Sequence, residues 1–412
     1  MKIMETKAKW TYMVYMAGDN NLSTAGDEDL KEMRQIGSSP EVNVLVQFDN
    51  AGIEGTRRFY IQRGGINEKV ECLGKTDSGD PLVLENFIAW SYEYYPAERY
   101  ALILWNHGGG WKPGDFDRLA RYERTRNWNV REANFLSASE LKRTLFNTTI
   151  SNILNLDLPE LREICIDDGS GHSLDTIELG KVLASAKEII GQPLDILGMD
   201  ACLMSNFEVA YQAAPYVKYI VASEANEPNE GWPYEAILDM MSKNPEISTP
   251  DICCEIVKVY TETYKKWGRS NVTQSAFDLS RVKDTTKSLD SLAKALIDKM
   301  PDVINNMQSA QNKSKSFCTY TLWDVSHFCK VLSGLIQDNN LNQAIQKVIT
   351  EFEPNSEKFI IAESHLGNGY DQCCGASIYL IPPLIPVSEY YADLEFAKDC
   401  KNWPLMLQKY HE

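Results

Sequence analysis

Two side chains that do acyl-transfer chemistry together, a thiol and an imidazole, each stand just beyond an apolar run in this chain. Cys202 closes the stretch Leu-Asp-Ile-Leu-Gly-Met-Asp-Ala-Cys that begins at Leu194, and His107 follows Tyr-Ala-Leu-Ile-Leu-Trp-Asn from Tyr100. An imidazole can take the thiol proton or pair with the thiolate, and backbone amides nearby can hold the oxyanion that forms when the sulfur attacks a carbonyl. The run Gly108-Gly109-Gly110 after the histidine lets backbone approach a substrate carbonyl closely. The amides of Gly108 and Cys202 are therefore the expected oxyanion donors. Alone, a free cysteine is most often a buried small hydrophobe, and a histidine in a glycine turn needs no chemistry. Their joint placement carries the catalytic reading.

Acidic residues near the cysteine bear on specificity. Asp200 lies two residues before Cys202. If the strand continues through both, the two side chains share a face, and a carboxylate there can pair with the guanidinium of a substrate residue on the acyl side of the scissile bond. A turn-capping role is the plainer alternative for Asp200. Glu230, just before Gly231-Trp232, is a second and weaker pocket acid, and Glu224 a third that solvent would serve equally well.

The elements that position these groups alternate. Strand patterns at residues 10–17, 42–48, 100–105, 194–200 and 219–223 are interleaved with helical patterns at 22–36, 81–94 and 176–190. Gly37 is the expected C-cap of the first of these helices and Thr176 the N-cap of the last. Leu203, Phe207, Ala210, Tyr211 and Ala214 at helical spacing predict a helix starting right after Cys202 and stopped by Pro215, which would set the thiol against the positive end of a helix dipole. Apolar strands alternating with helices predict an α/β fold with a mostly parallel sheet covered on both faces. Ligands of such sheets bind beyond the carboxyl ends of the strands, so His107 and Cys202 should converge at one edge. A core region at residues 1–245 is expected, with a basic loop at about 112–149. A helix-rich region with two strand-like pieces is expected at 246–412.

The composition, 43% hydrophobic and 24% charged over 412 residues, is that of a globular chain with ample core. A net charge of −17 argues against nucleic acid as a partner and favours cationic ones. The ten cysteines are scattered and show no disulfide framework. Among His172, His327, His365 and His411 no spacing suits zinc, and the glycine run is not followed by Lys-Ser or Lys-Thr, so neither a metal nor a nucleotide cofactor is expected. No apolar run approaches a membrane span, and the N-terminus has no signal-like core. The expectation is a cytoplasmic protein as the sequence stands, or a secreted one whose leader has been removed.

Four segments carry a resemblance to a known family. ALILWNHGGGW from Ala101, DILGMDACLMS from Asp195, YMAGDNNLS from Tyr15 and the Gly-Trp-Pro-Tyr at Gly231 resemble clostripain-type cysteine peptidases, relatives of caspases, legumains and gingipains. The likeness covers most of residues 10–240. It implies a caspase-like α/β/α sandwich, His107 as general base, Cys202 as nucleophile, and cleavage of protein or peptide substrates after Arg or Lys. It also implies autoprocessing between the two. The cluster of arginines from Arg118 to Arg131 is a suitable internal substrate, with Arg121 and Arg126 as candidate cut sites. An uncut arginine in the acidic pocket would block entry, making the precursor a zymogen. Fragments whose strands interleave should stay associated. Some relatives respond to calcium, which the resemblance alone raises here, since the acidic turn at Asp167 lacks EF-hand spacing. Two other readings stand beside this one: an inactive caspase-like binding protein, and a peptidase of the same clan with Asn or Asp preference. Asp200 opposes the Asp version by charge.

Overall fold

The computed structural model describes residues 7–20, 22–52, 55–66, 68–106, 111, 174–317, 321–383 and 386–411. Strand β1 (Ala8–Gly18) is apolar and buried over nearly its whole length. It feeds helix α1 (Ser23–Ile36), which ends at Gly37 with φ +70°, a conformation glycine adopts without the steric penalty of a Cβ. β2 (Val42–Asn50) returns parallel to β1, and β3 (Thr56–Tyr60) and β4 (Lys69–Gly74) continue the sheet antiparallel. Helix α2 (Pro81–Tyr94) carries proline in its first turn under an Asp80 cap, and β5 (Ala97–Trp105) pairs parallel with the other side of β1.

Chain order then gives α3 (Thr176–Ile190), β6 (Leu194–Asp200), α4 (Phe207–Ala213), β7 (Val217–Ala222), α5 (Tyr234–Lys243), α6 (Thr249–Lys266) and β8 (Val272–Asp278). The remainder comprises α7 (Val282–Lys299), α8 (Ile304–Lys313), β9 (Ser316–Phe317), β10 (Leu322–Asp324), α9 (Val325–Ser333), α10 (Asn339–Glu351), β11 (Ile360–Leu366), β12 (Ser377–Tyr379), α11 (Glu395–Asp399) and α12 (Asn402–His411). The main sheet has the order β11-β8-β7-β6-β5-β1-β2-β3-β4, and β12-β10-β9 form a small second sheet.

Period-two alternation sends neighbouring strand residues to opposite layers. Met13, Tyr15, Leu102, Leu104, Leu197 and Met199 pack with Phe87 of α2, Leu183 of α3 and Leu292 of α7. Tyr12, Val14, Ile103 and Ile196 pack with Met33 of α1, Ile237 of α5 and Tyr260 of α6. The result is an α/β/α sandwich whose two cores lie on the two faces of one sheet.

Three expectations change in detail. Only the central strands β2, β1, β5, β6 and β7 are parallel, and both flanks are antiparallel. Asp175, not Thr176, caps α3, because its carboxylate accepts from the Glu178 amide while Glu178 reaches back to the Asp175 amide. The helix after Cys202 begins only at Phe207, under an Asn206 cap, so the thiol does not sit in its first turn. Strands β8 and β11, from the helix-rich region beyond residue 245, extend the main sheet.

Candidate active site

The carboxyl ends of β5 and β6 are adjacent, with Trp105 opposite Asp200 in parallel register. Asn106, the residue before His107, is held firmly. Its amide donates to the Asp200 carbonyl at 3.2 Å, its side-chain nitrogen donates to the Ala17 carbonyl at 2.5 Å, and its side-chain oxygen accepts from Asn20 at 3.1 Å. The backbone direction in which the chain leaves β5 toward His107 is thereby set by β1 and β6 together. His107 and Gly108, and the arginines Arg121 and Arg126, lie outside the described residues.

Cys202 occupies the turn after β6 and is buried, with 9% of its surface exposed. Leu203 beside it has φ +67°, a left-handed conformation that costs a residue with a Cβ about 1–2 kcal/mol. The surrounding bonds impose it: the Leu203 amide donates to the Ala225 carbonyl and the Ser205 amide to the Ser223 carbonyl. The turn thus runs alongside residues 223–227. There the Glu227 amide donates to Cys202 Sγ at 3.2 Å. A backbone N–H aimed at sulfur can stabilise a thiolate, the service expected, from the sequence, of a helix N-terminus, and the protonated thiol can donate to the Glu227 carbonyl at 3.8 Å.

Asp200 is the last residue of β6, so strand alternation does not extend to Cys202 and the two side chains are not simply on one face. They are linked through Glu227, whose amide meets Sγ and whose buried carboxyl hydrogen-bonds to Asp200. Asp200 also accepts from the Trp232 amide at 3.1 Å and from the Tyr234 hydroxyl at 2.8 Å. Trp232 can lie across β6 because Gly198 presents no side chain; a Cβ there would meet the indole at 2.8 Å. Asp29 of α1 completes the group: it accepts from Trp105 Nε1 at 2.7 Å, and Gly231 lies against both its carboxylate and that of Asp200.

Burial raises all three acids. Asp29 is pushed up to about 9 by desolvation and then by the charge of Asp200, against a lowering by the Trp105 hydrogen bond. Glu227 is held well above the usual carboxyl range by burial and then by Asp200, which makes it the proton donor in that pair. Asp200 is raised by burial, with hydrogen bonds from Glu227, Trp232 and Tyr234 opposing. Among the described residues no Lys or Arg forms an ion pair with any of the three. Sequence reasoning had singled out only Asp200 of this group. Glu227 sits in a loop without periodicity, and Asp29 reads as one more polar residue of an amphipathic helix.

Glu230 lies next to Gly231 but is partly exposed, and its carboxylate pairs with Arg269 at 2.5 Å. Glu224 is not solvated. It is fully buried, accepts from the Gly375 amide at 3.0 Å, and shares a hydrogen bond with Asp324. Among the described residues no group of three or more His, Cys, Asp or Glu side chains is placed to hold a metal ion. Nor is any described helix long and apolar enough to cross a membrane.

Comparison with known proteins gives a consistent result. Clostripain of Hathewaya histolytica is 24% identical over 336 residues, 69% of this chain, and the match spans 56% of that relative's length. The X-ray structure of a secreted C11 cysteine protease from Bacteroides thetaiotaomicron, bound to an irreversible peptide inhibitor, superposes with a TM-score of 0.64 at 18% identity, covering 95% of this chain and 99% of the other. An inactive zymogen C11 protease from Parabacteroides distasonis superposes with a TM-score of 0.62 at 20% identity, covering 96% and 99%. At these identities the superpositions establish the fold. The sequence profile of the clostripain family, peptidase C11, matches residues 14–158 and 155–409, and this chain belongs to that family.

Proposed function

We propose that this protein is a cysteine endopeptidase that hydrolyses peptide bonds after basic residues, Arg in preference to Lys. The observation that carries the reading is the placement of Cys202 Sγ beyond the carboxyl end of β6, under the Glu227 amide, beside the strand that leads to His107. In this mechanism His107 accepts the thiol proton as Cys202 attacks the substrate carbonyl. The amides of Gly108 and Cys202 hold the oxyanion, and the imidazolium then protonates the leaving amine. Water, deprotonated by the same imidazole, releases the acyl group.

Basic specificity is supported by the three buried acids, which among the described residues form no ion pair with a Lys or Arg. A substrate guanidinium reaching Asp200 would supply the missing positive charge, with Glu230 at the rim once it exchanges Arg269 for substrate. Autoprocessing at Arg121 or Arg126 follows from the same preference, and the two fragments stay together because β5 and β6 are neighbours in one sheet.

The test is the initial rate on matched reporter peptides with Arg, Lys, Asn or Asp at the cleaved residue, for wild type and Cys202→Ala, with intact mass recorded alongside. Hydrolysis confined to Arg and Lys peptides, absent in the variant, and accompanied by fragment masses ending at Arg121 or Arg126, is expected. A preference for Asn or Asp would overturn the role of Asp200. No hydrolysis even after nicking of the arginine-rich loop by trypsin would turn the reading toward a binding protein.

A further inference from the structure

His107 is followed by three glycines, which have no side chains with which to pack. Glycine restricts its own backbone least of all residues, so the residues flanking such a run bear on where it can go. The upstream flank is Asn106, fastened to β1 and β6 as described above. The downstream flank is Trp111, and its surroundings are built with more care than a solvent loop needs.

Trp111 is almost wholly buried. Its ring meets Tyr379 edge-on at 4.7 Å between centroids and Tyr391 at 4.9 Å, and the two tyrosines lie 4.8 Å from each other. Its carbonyl accepts from the Thr176 hydroxyl at 3.0 Å. Both tyrosines are fixed by Glu208 in the first turn of α4. One oxygen of that buried carboxylate accepts from the Tyr379 amide at 3.0 Å and from the Tyr391 hydroxyl at 2.8 Å. β12 is tied to the cysteine turn a second time, because Ser377 donates through its amide and its hydroxyl to the Ser205 carbonyl at 2.9 and 3.1 Å. The aromatic cage around Trp111 therefore hangs on the same segment, residues 202–208, that carries the nucleophile.

We propose that Trp111, caged by Tyr379 and Tyr391 and referenced through Glu208 and Ser205 to the Cys202 segment, is a positioning residue that holds His107 in register with the thiol. Three residues separate it from His107, so a displaced indole would move the imidazole rather than the sulfur. Nothing else in the mechanism uses Glu208, Tyr391 or Trp111. The inference rests on the Cys202–His107 reading above.

The experiment uses the full chain and three variants, Trp111→Ala, Trp111→Phe and Tyr391→Phe. For each, kcat and KM on the preferred peptide are measured together with the pH dependence of Cys202 alkylation by iodoacetamide and the urea midpoint. Trp111→Ala should lower kcat by roughly 10- to 100-fold, the usual consequence of misplacing a catalytic group by about an ångström. KM should stay within about twofold, and the alkylation profile should move toward that of an ordinary thiol, near ~8.5. Trp111→Phe should recover only part of the rate, and Tyr391→Phe, which keeps the ring but loses the bond to Glu208, should lie between Trp111→Ala and wild type, with kcat below wild type in both. An alkylation profile for Trp111→Ala that superimposes on wild type, with a rate reduced only by the unfolded fraction, would overturn the proposal. If Trp111→Ala does not fold, unchanged kcat and alkylation in both remaining variants overturns it equally. Failure of the dyad itself appears separately, as an ordinary thiol profile in wild type or activity surviving Cys202→Ala, and removes the ground for the proposal.

Discussion

Two groups of buried carboxylates stand beyond the ends of neighbouring strands in this molecule, and they are served by different donors. Beyond β6, Asp200 and Asp29 accept from side chains and one amide: Trp105 Nε1, Tyr234 hydroxyl and the Trp232 amide, with Glu227 donating its own proton. Beyond β7, Glu224 and Asp324 accept chiefly from backbone. Gly375 donates to Glu224, Cys374 and His327 donate to Asp324, and the last bond caps α9. Positive charge also reaches the second group, from Lys330 toward Asp324. Backbone amides fixed by secondary structure commit a carboxylate to holding elements together, as here, where they join the cysteine-bearing side of the sheet to β10, α9 and β12. Acids held mainly by side chains, and given no Lys or Arg partner among the described residues, remain able to accept a ligand that brings a cation.

The sharpest way to break this distinction is Asp200→Asn. If the first group receives the substrate's cation, the variant should lose roughly 30- to 1000-fold in kcat/KM on Arg and Lys peptides, the effect of removing one partner of a buried charge pair. The amide can still accept from Trp232 and Tyr234, so the fold should hold and thermal midpoints should stay near wild type. Equal losses on Arg and Asn peptides would instead make Asp200 a structural acid like Glu224.

Asp324→Ala probes the other side. Its two oxygens satisfy the Cys374 and His327 amides in a fully buried site, and both donors would be stranded. A destabilisation of about 2–3 kcal/mol is expected in urea unfolding, from the lost cap and an unmet buried amide. The ratio of Arg to Asn cleavage should not change. A change in that ratio without loss of stability would reverse the roles assigned to the two groups.

Much of this was readable from sequence because apolar alternation and turn chemistry are local signals. The strands at 10–17, 42–48, 100–105, 194–200 and 219–223, the Pro81 helix start and the Gly37 cap all appear where their residues predict them. What was not readable is long-range. Phe207 starts α4 rather than continuing a helix from Leu203, because Leu203 and Ser205 give their amides to carbonyls 22 and 18 residues later, at Ala225 and Ser223, and tertiary bonds override helical spacing. Glu227 and Asp29 reach Asp200 from a loop and a helix face, and no window of the sequence contains all three. The attachment of β8 and β11 to the main sheet is hidden for the same reason, since antiparallel pairing across 53 residues and more leaves no mark in either strand.

The finest test of the comparison is Asp29→Asn, since Asp29 belongs to the cation-free group yet lies one layer away, on α1. Its folded-state value is about 9, whereas an unfolded aspartate titrates near ~3.9. Between those values the folded chain binds more protons than the unfolded one, so this group's contribution to stability is whole below about pH 4 and declines as pH rises through about 9. Asparagine keeps an acceptor for Trp105 and has nothing to titrate. Urea midpoints of variant and wild type should therefore coincide near pH 4 and diverge with rising pH. By pH 8 the variant should be more stable by at least ~1.4 kcal/mol, the free energy of a single pKa unit. Parallel curves across that range would mean that Asp29 stays ionised at neutral pH. It would then need a cation that the described residues do not provide, and the contrast between the two acid groups would lose its basis.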